Sequence, residues 1–183
     1  MDRLEALRMM QEAECLVDRQ AVGQALDRMA AAICHDLSET FPMVLTVMNG
    51  GMVVCGELLL RLAFPLEVGY LHATRYGFDR VGSELEWLSA VPTGVAGRTV
   101  VLVDDIYDEG ITLLAIREAC LKLGATNVRT AVLLEKDHDR KVCRDYHPDY
   151  VGLTVADRFV FGYGLDVEGV WRNAPGIYAV TGM

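Results

Sequence analysis

The sequence is poor in the features that mark secreted, membrane-bound or nucleic-acid-binding proteins. Its five cysteines include no C-x-x-C pair and mostly fall on apolar faces of helical patterns, which is typical of reduced, buried thiols. The 17 Lys and Arg residues are unclustered and outnumbered by 26 Asp and Glu residues; the net charge of −9 disfavours nucleic acid and anionic membranes as partners. We find no signal peptide and no apolar run of transmembrane length, and we therefore expect a cytoplasmic protein.

What the chain does contain is an alternation of helical and strand patterns. Of its 183 residues, 52% are hydrophobic, which is enough for a compact core. Helical spacing covers 21–39, 51–62 and 111–123, and short apolar or alternating runs indicate strands at 43–47, 66–71, 84–89, 99–103 and 130–134. Residues 75–82 are polar and contain glycine, so we expect a loop there. This order predicts one α/β domain with a parallel sheet.

The most informative segment is the strand at 99–103 and the turn that follows it. Asp104, Asp105 and Asp108 come directly after the strand, and a turn with Gly110 then opens a helix. Such a turn presents free backbone N–H groups that suit a phosphate. Acids beside a phosphate repel it unless they bind sugar hydroxyls or a bridging Mg²⁺. The pattern therefore predicts a site for a phosphorylated sugar and a metal.

A strand that ends in two acids also occurs in the receiver domains of response regulators. In that fold the acid pair lies near the N-terminus, and a phospho-accepting Asp follows on a later strand. Here about a hundred residues precede Asp104, and no later predicted strand ends in a lone Asp. The position of the pair disfavours the receiver interpretation.

Two further segments are candidates for ligand binding. The turn Asn49-Gly50-Gly51 follows a buried strand and precedes a helix, which is either an anion-binding geometry or an ordinary strand–helix turn. Near the C-terminus, Phe159 is followed by two glycines, at 162 and 164. An aromatic stripe is more often core than ligand platform, but the glycines allow a flat ligand to approach the backbone and stack on a ring.

These segments carry a family resemblance. VLVDDIYDEGITL resembles the phosphoribosyl-pyrophosphate signature of the type I phosphoribosyltransferases, and the segment from Pro148 to Asp166 resembles the base-binding hood of the hypoxanthine-guanine phosphoribosyltransferases. The motifs occur in family order between about residues 44 and 180. The resemblance implies a type I phosphoribosyltransferase fold, an α/β fold with a central, mostly parallel sheet flanked by helices. It also implies one domain over 1–183, with a core at about 40–145 and a small hood at about 146–183 that receives N-terminal contributions.

The resemblance further implies an activity and a set of site residues. The activity is transfer of the 5-phosphoribosyl group from phosphoribosyl pyrophosphate to hypoxanthine or guanine, with Mg²⁺ as cofactor, by a homodimer or homotetramer. The implied ligands of phosphoribosyl pyrophosphate and of the nucleotide are Asn49, Gly50, Arg75, Asp104, Asp105, Asp108, Glu109, Gly110, Ile111, Thr112 and Arg172. The implied purine-binding residues are His147, Phe159, Val160 and Asp166. The implied metal ligands are Asp104, Asp105 and Asp166, and Asp108 is the implied catalytic acceptor of the purine N7 proton.

The chain departs from the family pattern at three of these positions. Asn49 stands where the family often has Lys, at a peptide bond that can be cis in the family, so we expect backbone amides and the metal, not a side-chain cation, to bind pyrophosphate there. Glu109 stands where a small residue is usual. His147 replaces a Lys that donates to the purine 6-oxo group, and imidazole can donate through a neutral N–H. Residues 72–77 match the start of a flexible catalytic loop that closes over the reacting centre.

Two alternative functions remain open from the sequence. A regulator could use the same fold to sense phosphoribosyl pyrophosphate, although the acidic charge and the retained Asp108 disfavour it. An enzyme of the same fold could act on another base, such as xanthine or a pyrimidine, although the segment from Phe159 to Asp166 favours a purine.

Overall fold

The computed structural model describes residues 1–75 and 85–180, apart from the side chains of Arg75 and Leu85. The helices are α1 (Arg3–Glu12), α2 (Arg19–Leu37), α3 (Gly51–Leu59) and α4 (Ile111–Lys122). The strands are β1 (Glu14–Val17), β2 (Met43–Val47), β3 (Glu67–Arg75), β4 (Leu85–Ser89), β5 (Thr99–Tyr107), β6 (Asn127–Asp137), β7 (Tyr150–Ala156), β8 (Val160–Phe161) and β9 (Ile177–Ala179). In these two stretches of the chain, no helix has the length and apolar character needed to cross a membrane.

The main sheet has six strands in the order β4-β3-β2-β5-β6-β7, and only the edge strand β4 runs antiparallel to its neighbour. All five residues of β2 are buried, because helices cover both faces of the sheet. Helices α2 and α3 pack with Val44 and Val101 on one face, and α4 packs with Leu45 and Leu102 on the other. The predicted fold class, a mostly parallel sheet flanked by helices, is confirmed.

Strand β6 is longer than its apolar run indicated. The sequence predicted a strand over 130–134, whereas the structure extends it to Asp137. The additional residues Glu135 and Lys136 are only partly buried, so they break the apolar pattern while continuing the pairing with β7. Strand β3 likewise continues beyond the predicted 66–71, to Arg75. Most of the predicted loop at 75–82, with the lid residues Tyr76 and Gly77, lies outside the described residues.

A second, small antiparallel sheet has the order β1-β9-β8 and joins the two ends of the chain. The indole Nε1 of Trp171 donates to the Ala6 carbonyl at 2.8 Å, which fixes α1 against the C-terminal segment. Strand β7 belongs to the main sheet although it lies in the segment that the resemblance assigned to the hood, about 146–183; of the small sheet, β8 and β9 follow it and β1 comes from the N-terminal segment. The reason is that Tyr150–Ala156 pairs in parallel register with β6, beginning at Tyr150 opposite Ala131.

Candidate active site

A cavity of about 660 Å³ opens at the carboxyl ends of β2, β3 and β5. Ligands of open parallel sheets bind at this edge, because the strand-to-helix loops converge there. The sequence-predicted residues that line the cavity are Asn49, Gly50, Asp104, Asp105, Asp108, Glu109, Gly110, Ile111, Thr112 and Arg172. His72, Ala73 and Thr74, at the end of β3, line the same cavity.

The acids Asp104 and Asp105 lie side by side at the end of β5. Burial, together with repulsion from Asp105, raises the pKa of Asp104 well above its ordinary value. The guanidinium of Arg172 acts in the opposite direction on both carboxyl groups. Adjacent carboxylates supply the hard oxygen donors that a divalent cation prefers, and a bound cation would keep both ionised. The residues present therefore fit a metal such as Mg²⁺.

The loop from Asp108 to Thr112 has the geometry of a phosphate site. Gly110 adopts φ 85°, and α4 begins directly after it without a side-chain cap, so its first N–H groups face the cavity. A Cβ at Gly110 would overlap the ring of Tyr107, which is itself buried. Glycine is thus required by both the left-handed backbone and the contact with Tyr107.

The turn between β2 and α3 forms the opposite wall of the cavity. The peptide bond between Met48 and Asn49 is cis, as the family resemblance implied. Cβ atoms at Gly50 and Gly51 would overlap the Asp105 carboxylate and the Val103 carbonyl. Only a Gly-Gly turn can therefore lie this close to the end of β5, which explains the motif that the sequence left open.

A smaller cavity of about 210 Å³ shares lining residues with the first and reaches Val160 of the small sheet. It is lined by Asp105, Ile106, Asp108, Lys136, Phe159, Val160, Leu165 and Asp166. Phe159 is 45% exposed, so its ring is a wall of this cavity and not part of the core. The carboxylate of Asp166 forms an ion pair with Arg172, which also donates to the Gly164 carbonyl at 2.6 Å.

Val160 lines the smaller cavity, and both polar groups of its backbone are on the side away from β9. The Val180 N–H donates to the Phe159 carbonyl at 3.2 Å. Hydrogen-bonded and non-hydrogen-bonded pairs alternate along antiparallel strands. Val160, which lies opposite Ala179, is therefore in a non-hydrogen-bonded pair, and its N–H and C=O point away from β9. Because β8 is the edge strand, these groups can read the edge of a planar ligand.

Asp108 lies at the junction of the two cavities and has close partners on both carboxylate oxygens. Lys136 Nζ is 2.9 Å from one oxygen, and His138 Nε2 is 2.6 Å from the other. Burial would raise the pKa of Asp108, but the hydrogen bonds from Lys136 and His138 outweigh it and hold the pKa below its ordinary value. The ion pair keeps Asp108 ionised and holds Lys136, which lines the smaller cavity, beside it.

The structure does not place two of the predicted residues, His147 and Arg75, at the junction of the two cavities. The side chain of His147 is 73% exposed, with Nδ1 3.7 Å from a Glu135 carboxylate oxygen, and it lines a neighbouring cavity instead of the one beside Phe159. Lys136, which the sequence analysis did not predict as a site residue, lines the smaller cavity beside Phe159, and its side chain is only 13% exposed. The backbone of Arg75 ends β3, and its side chain lies outside the described part of the chain.

Comparison with known proteins agrees with this geometry. A family model for the phosphoribosyl transferase domain matches residues 12–168. The chain is 30% identical over 161 residues to a hypoxanthine-guanine phosphoribosyltransferase of Bacillus subtilis, covering 87% of this chain and 88% of that protein. It is 27% identical over 160 residues to a hypoxanthine-guanine-xanthine phosphoribosyltransferase of Tritrichomonas foetus, covering 87% of each. A crystal structure of a Staphylococcus aureus hypoxanthine phosphoribosyltransferase superposes with a TM-score of 0.87 at 23% identity, over 94% of both chains.

The fold and the paired cavities define an α/β protein of the phosphoribosyl transferase class. Within that class, the chain belongs to the hypoxanthine-guanine phosphoribosyltransferase family.

The close approach at Gly50 generates a test of the anion site. In Gly50→Ala the added methyl group must displace the Asp105 carboxylate, and we expect inorganic pyrophosphate in Mg²⁺ buffer to bind about 5- to 150-fold more weakly, which corresponds to ~1–3 kcal/mol of overpacking. Isothermal titration calorimetry measures this affinity. Gly56→Ala in α3 is the matched control, since a Cβ there meets nothing within 4 Å. Equal affinities of the two variants would contradict this account of the turn.

Proposed function

We propose that this protein is an enzyme of purine salvage that transfers the 5-phosphoribosyl group of phosphoribosyl pyrophosphate to hypoxanthine or guanine, giving IMP or GMP and pyrophosphate. The observation that carries the proposal is that Asp105, Ile106 and Asp108 line both cavities. A sugar phosphate in the larger cavity and a flat base in the smaller one would therefore meet beside Asp108. The named activity of the Bacillus subtilis relative agrees with this division.

Each part of phosphoribosyl pyrophosphate has a matching wall in the larger cavity. The N–H groups from Asp108 to Thr112 suit the 5′-phosphate. Asp104 and Asp105, at the end of β5, suit the 2′- and 3′-hydroxyls of the ribose or metal-bound water. The cis peptide at Asn49 and the guanidinium of Arg172 suit the pyrophosphate.

The cofactor of the proposed reaction is Mg²⁺, with Asp104, Asp105 and Asp166 as its ligands, directly or through water. When bound, the ion would neutralise the charge that develops on departing pyrophosphate. This role suits a chain of net charge −9, since a polyanionic substrate needs local positive charge.

Three groups of the smaller cavity suit a 6-oxopurine. The exposed ring of Phe159 offers a stacking surface, and the outward N–H and C=O of Val160 can pair with the edge of the base. Lys136 Nζ supplies three N–H donors and can reach the 6-oxo group while remaining near Asp108. We therefore assign to Lys136 the donor role that the sequence suggested for His147.

Asp108 is the proposed acceptor for the purine N7 proton. Its ionised carboxylate faces the base-sized cavity at the point where the sugar would lie. As the purine attacks C1 of the ribose, positive charge grows on the base, and a fixed carboxylate both stabilises that charge and receives the N7 hydrogen bond. Loss of pyrophosphate and formation of the C1–nitrogen bond leave the proton shared with Asp108.

We also propose a cytoplasmic homodimer or homotetramer. The five cysteines are all free, in keeping with a reducing compartment. Val68 and Tyr70 of β3 and Leu88 of β4 are 56%, 59% and 61% exposed. Exposed apolar side chains grouped on two adjacent strands are typical of surfaces that an assembly buries.

Product formation tests the proposed function directly. The protein with phosphoribosyl pyrophosphate, Mg²⁺ and hypoxanthine or guanine should yield IMP or GMP, and Asp108→Asn should lower kcat about 10²- to 10⁴-fold because the proton acceptor is lost. Asp139→Asn, an exposed carboxylate on the same segment as His138, is the matched control and should keep wild-type kcat. No nucleotide product from either base, or full activity of Asp108→Asn, would refute the assignment.

The stacking role of Phe159 predicts a selective effect on base binding. Phe159→Ala should raise the KM for hypoxanthine about 5- to 150-fold, since base stacking is worth ~1–3 kcal/mol, while the KM for phosphoribosyl pyrophosphate changes little. Steady-state kinetics with each substrate varied in turn measures the two constants. A variant with wild-type kinetics and a much lower Tm would show that the ring is core.

Lys136 and His147 can be separated by base selectivity. Lys136→Met should lower kcat/KM for guanine about 10- to 150-fold, since a hydrogen bond from a charged donor is worth ~1.5–3 kcal/mol. The selectivity of guanine over adenine should fall with it, because the 6-amino group of adenine faces the lysine donor in the wild type. His147→Ala is the comparison variant and should stay within about twofold of wild type, as expected for an exposed side chain. The reverse pattern would restore His147 as the donor.

A further inference from the structure

His138 is a buried histidine beside the reacting centre that the proposed function does not use. It follows β6, its side chain is 5% exposed, and its Nε2 lies 2.6 Å from Asp108 Oδ1. This contact is shorter than those of Asp108 with Lys136 Nζ (2.9 Å) and Arg140 Nη2 (3.9 Å), so the imidazole has a direct influence on where that carboxylate points.

The backbone determines which imidazole nitrogen carries the proton. The Arg140 N–H donates to His138 Nδ1 at 3.0 Å. A backbone N–H can only donate, so Nδ1 must be the unprotonated acceptor and the proton must lie on Nε2. Neutral His138 therefore donates Nε2–H to Asp108.

The segment that carries His138 contacts three consecutive residues, the last residue of β5 and the first two of the loop from Asp108 to Thr112. His138 binds the side chain of Asp108, Lys141 Nζ donates to the Tyr107 carbonyl at 3.1 Å, and the Val142 N–H donates to the Glu109 carbonyl at 3.0 Å. These contacts attach the segment to both the backbone of the loop and its carboxylate. The imidazole of His138 is therefore held on both nitrogens, Nε2 by the Asp108 carboxylate and Nδ1 by the Arg140 N–H.

The carboxylates near the His138 imidazole already have cationic partners, which disfavours a metal ion at this position. Asp108, His138 and Asp157 have ligand atoms within 4.8 Å of one another, a spacing that suits a metal ion. However, Arg140 binds both oxygens of Asp157 at 2.5 and 3.0 Å, and Lys136 binds Asp108. Arg140 Nη2 is also 3.9 Å from Asp108. The two cationic side chains already compensate the two carboxylates, so the cluster is an ion-pair network.

We propose that His138 is a positioning residue for Asp108 in the transfer reaction. Its Nε2–H, fixed by the Arg140 N–H, holds one carboxylate oxygen of Asp108 while Lys136, on the other oxygen, turns toward the 6-oxo group of the base. The inference rests on the proposed function, and it adds a residue outside both cavities that determines the orientation of the proton acceptor.

Two variants at the same position test the proposal. His138→Phe keeps the ring but removes the donor, and His138→Gln replaces Nε2–H with an amide N–H of similar reach. At pH 8, with hypoxanthine and phosphoribosyl pyrophosphate, we expect kcat of His138→Phe to fall about 10- to 100-fold, because displacement of a reacting group by ~1 Å costs about 10²-fold. We expect the KM for phosphoribosyl pyrophosphate to stay within about twofold and His138→Gln to recover most of kcat. His35→Phe is the matched control, since His35 pairs with Asp36 on the surface, where its side chain is 87% exposed.

The pH profile supplies a readout that a purely structural role would not change. Loss of a donor raises the pKa of a carboxylate, and activity requires ionised Asp108. The acid limb of the pH profile of kcat should therefore lie at higher pH in His138→Phe than in wild type. The other charged groups near Asp108 and His138, which are Lys136, Arg140 and Asp157, are the same in both proteins. Wild-type kcat in His138→Phe, or equal losses in the Phe and Gln variants, would overturn the proposal.

The tautomer can be measured without any activity. The ¹⁵N spectrum of imidazole-labelled wild-type protein should show His138 protonated on Nε2 and unprotonated on Nδ1 near pH 8. A proton on Nδ1 would overturn the inference even if neither variant folds. Failure of the wild type to make IMP would instead refute the proposed function and leave this spectrum as an independent result.

Discussion

The parallel pairing of β5 with β2 and β6 is the constraint on which the site depends. In this pairing Thr46 lies opposite Val103, and Tyr107 lies opposite Glu135, so the three strands end at the same edge of the sheet. Each strand is buried on both faces and is held in place by packing from both helical layers. The phosphate loop, the Gly-Gly turn and Lys136 are brought together as a consequence of that common edge.

The same constraint creates an electrostatic problem. It concentrates Asp104, Asp105 and Asp108 in a chain that is already acidic, and burial raises the pKa of the first of these. A few local positive groups offset this negative charge. They are Arg172 near the acid pair, Lys136 beside Asp108, and the N-terminus of α4, which has no side-chain cap. The described residues thus combine an overall negative surface with a site that suits a polyanion and a divalent cation.

The sequence was most informative where structure is local. The strand at 99–103, the acids after it and Gly110 are contiguous, and their backbone geometry follows from the residue types. Lys136 was missed because it extends β6 past the apolar run, and its pairing with Val155 of β7 keeps it in the strand. The small sheet was described only as a hood, since β1 and β9 are three or four residues long and pair across almost the whole chain. Helix α1 has no buried residue and was not predicted from the sequence.

The neighbours of Asp108 lower its pKa, yet a carboxylate of lowered pKa can still assist the proposed reaction. Donation by Lys136 and His138 weakens Asp108 as a base, which reduces its drive to remove a proton completely. The same donors keep it ionised and fixed, and in the proposed reaction a fixed negative charge beside N7 would stabilise the positive charge that the base acquires from the ribosyl centre. If Lys136 turns to the 6-oxo group when a base is present, Asp108 loses one donor at the moment when the N7 proton arrives. In the proposed reaction, the basicity of Asp108 would then rise only in the presence of the correct base, and one lysine would couple recognition of the 6-oxo group to acceptance of the proton.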